Sequence, residues 1–145
     1  MGIETVIAID LEGTLISNAV SQFPRPGLHQ FLEFCNSAFK AVYLYTAVRD
    51  ELCGPIIKTL VDEQIAPDWM LAIPLVQWDR NFKDLANIPA ASIHECLIVD
   101  DNPDYILDNQ RSQWIAIEKF ESPYPDTDRE LERVQRLITK RIGVC

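Results

Sequence analysis

The sequence predicts an α/β protein, a three-layer, Rossmann-like parallel sheet with helices on both faces. Three observations carry the prediction. Short unbroken apolar runs recur at residues 6–9, 41–45 and 96–99, and runs of this kind read as strands buried on both faces. Segments with apolar residues at helical spacing lie between them. Strand and helix therefore alternate, which is the pattern of a parallel sheet with crossover connections.

In chain order, residues 6–10 form the first strand, ending in Asp10. Residues 11–25 read as a loop, with Gly13 free to turn sharply and Thr14 able to bond the turn's own backbone. Pro26 suits the first turn of a helix, and Leu28, Phe31, Leu32, Cys35 and Phe39 give that helix one apolar face. His29 falls off this face and is expected in solvent. The second strand, residues 41–45, runs into Thr46. A helix over 50–62 turns Leu52, Ile56, Ile57, Leu60 and Val61 inward, with Pro55 early enough to be tolerated. Residues 66–82 read as a small irregular insertion with short strands, and 83–85 as a helical turn. The third strand covers 95–99 and leads into Asp100 and Asp101. A short helix over 103–107 and a fourth strand over 114–117 follow. Thr127 and Glu130 have the spacing of a capping box, which opens a helix with Leu131, Val134, Leu137, Ile138 and Ile142 on one face.

Composition bounds the function. The 145 residues are expected to form a single domain over 1–145, large enough for a sizeable core. A net charge of −9 argues against nucleic-acid binding, which needs clustered Lys and Arg. The four cysteines (Cys35, Cys53, Cys96 and Cys145) have no close pairing, so most are expected to be reduced core residues. With no signal peptide and no apolar run of membrane-spanning length, the expectation is a cytoplasmic protein with no membrane partner.

Polar residues follow three of the strands: Asp10 and Glu12, then Thr46, then Asp100 and Asp101. A parallel sheet brings these ends to one edge, where ligands of such sheets bind. Carboxylates gathered there repel by roughly 4 kcal/mol per pair at 4 Å and an effective dielectric near 20. They need a cation or a proton. Oxygen donors beside a phosphate suit Mg²⁺, and Thr46 and Lys83 offer a hydroxyl and a compact positive charge to a phosphate. Taken singly, Thr46 also reads as a cap and Lys83 as a solvated lysine. The order Asp-x-Glu, Thr, Lys, Asp-Asp gives them weight together.

This order resembles the haloacid dehalogenase superfamily of phosphotransfer enzymes, over residues 6 to about 142. Asp10-Leu11-Glu12-Gly13-Thr14 is similar to its first motif, Thr46 to its second, Lys83 to its third, and Asp100-Asp101 to its fourth. Arg25-Pro26-Gly27, Tyr45-Thr46-Ala47, Lys83-Asp84-Leu85 and Val99-Asp100-Asp101-Asn102-Pro103 resemble the NLI-interacting-factor-like, or CTD-type, phosphatases within it. The resemblance implies a HAD-like fold and an Mg²⁺-dependent phosphoric monoester hydrolase. Asp10 would be the nucleophile and Glu12 the acid and base. Thr46 and Lys83 would bind the phosphoryl oxygens. Asp10, the Glu12 carbonyl and Asp101 would hold the metal, with Asp100 either a further ligand or the residue that orients Lys83.

Two features depart from the family. Glu12 stands where Asp is usual, although the enolase-phosphatase branch also carries Glu. Gly13-Thr14 and a short loop replace the longer insert of CTD-type members. The connections on either side of Thr46 leave no room for a full cap domain. An open site suits a phosphorylated protein; a small phosphate ester, or a catalytically silent phosphate- or protein-binding module, is the alternative. Trp69, Trp78 and Phe82 either wall the entrance or belong to the core of the insertion. Arg25, Arg49 and Arg80 are candidate phosphate contacts, with solvated surface positions the simpler expectation.

Overall fold

The computed structural model describes residues 3–89 and 91–143. Four strands form one parallel sheet: β1 (Val6–Ile9), β2 (Ala41–Leu44), β3 (Cys96–Asp100) and β4 (Trp114–Ala116), in the order β2-β1-β3-β4. β1 is central, pairing Val6 with both Ala41 and Cys96. Its four residues are all buried, as a two-sided strand requires.

The faces of the sheet carry different helices. Ile7, Ile9, Val42, Leu44, Leu97 and Val99 point into a core shared with α1 (Leu28–Ala38), α2 (Asp50–Asp62) and α3 (Glu130–Ile142). Val6, Ala8, Ile98 and Cys96 point the other way, onto Tyr45, Val76, Leu85, Ile88 and Ile106. That second face is covered by loops and short 3-10 helices, among them Leu85–Asn87 and Pro103–Tyr105. The uneven cover follows from the strand order. From β1 the chain steps outward through α1 to β2, and outward again through α2 to an isolated parallel bridge between Leu75 and Leu44. It then returns across the sheet to β3. Crossovers of one hand place outward and returning connections on opposite faces.

Several sequence expectations are corrected. Residues 66–82 hold a 3-10 helix (Asp68–Ala72) and the Leu75 bridge rather than short strands. The 103–107 helix is one 3-10 turn, Pro103–Tyr105. Pro26 precedes α1, whose N-cap is Gly27. Leu52 of α2 is 48% exposed and Cys53 takes the inward place, while Leu137 of α3 is 43% exposed. Both leucines sit one position off the buried stripe. The capping box at Thr127 does not form. Asp128 Oδ1 accepts the Glu130 N–H at 3.0 Å instead, because Arg25 holds that carboxylate at the start of α3. Acidic residues in its first turn, basic residues in its last and Gly143 in the left-handed region past its end complete that helix. Cys35, Cys53 and Cys96 are free and buried; Cys145 lies outside the described residues.

Candidate active site

The parallel registers bring every strand's carboxyl end to one edge. Asp10 follows β1, Asp100 ends β3 and Asp101 comes next. β1 and β3 are neighbours although far apart in sequence, and the chain departs from β1 in both directions, which makes this crevice the topological switch point of the sheet. A cleft of about 280 Å³ opens there, lined by Asp10, Glu12, Asp100, Asp101, Tyr105 and Lys119 together with parts of the adjoining loops.

Lys83 joins the two strand ends. Its ammonium donates to Asp10 Oδ1 at 2.8 Å and to Asp100 Oδ2 at 2.5 Å, and its side chain has no solvent exposure. It lies 4.9 Å from the centroid of the Tyr105 ring and 5.8 Å from that of Trp78, so its methylene stem and charge are enclosed. Burial pushes the Asp10 carboxyl well above the usual carboxylate range; Lys83 opposes this and Asp100 adds to it. Asp100 is raised for the same first reason, with Lys83 pulling it back. Burial would lower Lys83, but the two carboxylates outweigh it and hold the ammonium charged.

One carboxylate oxygen each from Asp10, Asp100 and Asp101 can gather within 4.8 Å. Three ionised carboxylates with one ammonium leave a local charge of −2, which a single divalent cation would neutralise. An all-oxygen donor set open to a cleft suits a hard divalent cation, Mg²⁺ among them.

The loop after β1 is built around this cluster. Gly13 has φ +77° and no room for a side chain: a Cβ there would lie 2.5 Å from Asp101 Oδ2. Thr14 donates its hydroxyl to Asp10 Oδ2 at 3.0 Å and lies 3.5 Å from Asp101 Oδ1, so it serves the carboxylates rather than the turn's backbone. Ile16 and Pro24 form an antiparallel bridge at the base of a small hairpin. Glu12 lines the cleft, but its carboxylate turns to this hairpin, Oε2 accepting the Ala19 N–H at 2.6 Å. Glu12 therefore shares the cleft with the three aspartates without joining their cluster.

Thr46 is buried and does not line the cleft. Its hydroxyl accepts the Val48 N–H at 3.0 Å, and its carbonyl accepts Trp78 Nε1–H at 3.1 Å. Among the described residues it makes no hydrogen bond to the carboxylates. Trp78 packs edge-on against both Tyr45 and Tyr105. Trp69 instead bonds Glu33, and Phe82 is exposed, so neither walls the cleft. Arg49 and Arg80 are exposed as expected.

Arg25 overturns the surface expectation, being 2% exposed. It pairs with both oxygens of Asp128 at 2.9 and 3.0 Å and donates to the carbonyls of Gly13, Thr14 and Glu118. The residues that sequence reasoning missed are Thr14 in this role, Tyr105 and Lys119. For Lys119 a signal existed, since it follows the fourth strand as Asp10, Thr46 and Asp101 follow the others.

The profile of the family described as NLI interacting factor-like phosphatase matches residues 5–143. Among solved structures, the fission yeast RNA polymerase II CTD phosphatase Fcp1, in its R271A form bound to beryllium fluoride, superposes with a TM-score of 0.54. Identity is 13%; the alignment covers 98% of this chain and 51% of the other, so the chain spans about half that protein's length. The likeness shows the same fold. No curated protein matches the chain in sequence. Among the described residues no helix is long and apolar enough to cross a membrane.

Proposed function

Given that the chain belongs to the NLI interacting factor-like phosphatase family, we propose that it hydrolyses phosphate monoesters through an aspartyl-phosphate on Asp10. One observation carries this reading. Asp10 sits at the strand end facing the cleft, with Lys83 on one carboxylate oxygen and Thr14 on the other. Its position is thereby fixed from two sides, as in-line attack requires.

In the first step an Asp10 oxygen attacks phosphorus and the bond from phosphorus to the ester oxygen breaks. The ester oxygen leaves as an alcohol, taking the proton of the Glu12 carboxylic acid. In the second step the Glu12 carboxylate takes a proton from water. The resulting hydroxide attacks phosphorus, the Asp10 oxygen departs, and inorganic phosphate is released. The Ala19 N–H occupies one oxygen of Glu12 and leaves the other for the proton. Lys83 offsets charge that develops on the phosphoryl oxygens beside Asp10. Asp100 is the residue that orients Lys83, since its carboxylate is ion-paired to that ammonium.

Mg²⁺ would be held by Asp10, Asp101 and the Glu12 carbonyl, and when bound it supplies positive charge to the phosphate oxygens. Thr46 is assigned to phosphate binding by its place in the motif order; its hydroxyl already accepts the Val48 amide and has its proton free to donate. Ser17 and Asn18 of the residue 16–24 hairpin line the cleft, and among the described residues no cap domain lies over it. This openness favours a phosphorylated protein over a small phosphate ester as substrate.

The test is hydrolysis of 4-nitrophenyl phosphate with and without Mg²⁺, beside Asp10→Asn. Metal-dependent turnover that is lost in Asp10→Asn is the expected result. Turnover that survives Asp10→Asn would refute the covalent route.

A further inference from the structure

Among the described residues, four carboxylates and one cation line the cleft. Asp10, Glu12, Asp100 and Asp101 supply the negative charge, and Lys119 is the basic lining residue. Lys83 lies beneath, its ammonium already paired with Asp10 and Asp100 and its side chain closed to solvent. Lys119 is exposed. Among the described residues its side chain makes no ion pair.

The backbone that carries Lys119 is held on both sides. Ile117 N–H donates to the Asp100 carbonyl at 3.4 Å, and Phe120 N–H donates to the Gly13 carbonyl at 2.8 Å. Between them the Glu118 carbonyl accepts Arg25 Nη2–H at 2.6 Å. The segment is thus tied to the same loop and strand end that present Asp10 and Asp101. A lysine without an ion-pair partner among the described residues, on a fixed backbone, thus lines an acidic cleft.

Resting on the phosphatase reading, we propose that Lys119 is a substrate-binding residue whose ammonium takes an outer oxygen of the phosphate dianion that enters the cleft. A dianion approaching this cleft meets carboxylates first, and like charges a few ångströms apart repel strongly where solvent is partly excluded. Lys83 can offset charge only from the buried side. On the solvent side that task falls to Lys119, a compact point charge on a flexible stem. Its exposure means that salt screens it and that it also raises the rate of encounter.

The test measures binding of inorganic phosphate in the presence of Mg²⁺ by calorimetry, and KM for 4-nitrophenyl phosphate at low and high salt. Wild type is compared with Lys119→Ala, Lys119→Glu and Lys119→Arg. Lys119→Ala is expected to weaken phosphate about fivefold, and charge reversal in Lys119→Glu roughly twentyfold. Lys119→Arg retains binding. KM rises in step with the phosphate dissociation constant, kcat falls less, and the salt dependence shrinks. An exposed side chain leaves thermal unfolding unchanged. Phosphate affinity equal to wild type in both Lys119→Ala and Lys119→Glu would overturn the proposal, as would a wild type that binds no phosphate. Phosphate binding requires no turnover, so an inactive wild type counts against the phosphatase reading alone.

Discussion

Replacing Gly13 by alanine separates the strain at the site from its chemistry. The new Cβ would stand 2.5 Å from Asp101 Oδ2, 2.8 Å from its Cγ and 3.0 Å from Oδ1, at a residue with φ +77°. The backbone has little freedom to retreat. Gly13 N–H donates to the Ile16 carbonyl at 2.7 Å, and its own carbonyl accepts from Phe120 N–H at 2.8 Å and Arg25 at 3.1 Å. Asp101 therefore moves, by roughly 1 Å to reach ordinary contact distance. The cost then divides. A left-handed alanine destabilises the fold by about 1–2 kcal/mol, whereas the displaced carboxylate falls on Mg²⁺ binding, at about tenfold in affinity by analogy with disturbed metal-site geometry. The assay is urea unfolding together with the Mg²⁺-induced rise in Tm for wild type, Gly13→Ala, Asp101→Ala and the double variant. In the Asp101→Ala background the clash is gone, so Gly13→Ala should cost stability without further loss of Mg²⁺ affinity. Additive losses of Mg²⁺ affinity across the cycle would refute the reasoning. So would a Gly13→Ala protein with the wild-type response to Mg²⁺.

Arg25→Met strands the Asp128 carboxylate and three carbonyls, and breaking a buried pair this way costs about 3–5 kcal/mol; a urea midpoint close to wild type would show the pair to be dispensable. Glu130 offers a pH test. Its carboxyl is held down at about 2, from an ordinary 4.5, chiefly by hydrogen bonding to Arg133 and also by the Glu118 amide. A depressed carboxyl stabilises the fold above its unfolded pKa and loses that contribution as pH falls through the folded one. Glu130→Gln should therefore be less stable than wild type at pH 7, by at most about 1 kcal/mol given its solvent access. That gap should close between about pH 4.5 and 2, and a gap that widens towards acid would contradict the assignment.

Much of the candidate site was legible because its residues lie at strand ends. Asp10, Asp100 and Asp101 are adjacent to buried apolar runs, and a parallel sheet must bring such positions together. Glu12 is a different case. Its place in the motif located it at the cleft, but nothing local announced that the Ala19 amide would capture its carboxylate. Arg25 was misread as a surface residue because its burial depends on Asp128, 103 positions away, and on the Glu118 carbonyl. A buried cation can be inferred only from partners that compensate its desolvation, and long-range partners leave no local pattern.

The order of strands and helices, the parallel sheet and the edge at which the carboxylates gather were all written locally in the sequence. Apolar run length and helical spacing encode these directly, since each reflects burial of local backbone and side chains. Which residue pairs with which was settled by the folded arrangement. It turned Leu52 and Leu137 outward, gave the Glu130 amide to Asp128 in place of a capping box at Thr127, and set Lys83 beneath the carboxylates rather than on the cleft wall. These choices depend on distances between groups remote in sequence. Electrostatic pairing and close packing are settled by those distances and not by the residues taken in order.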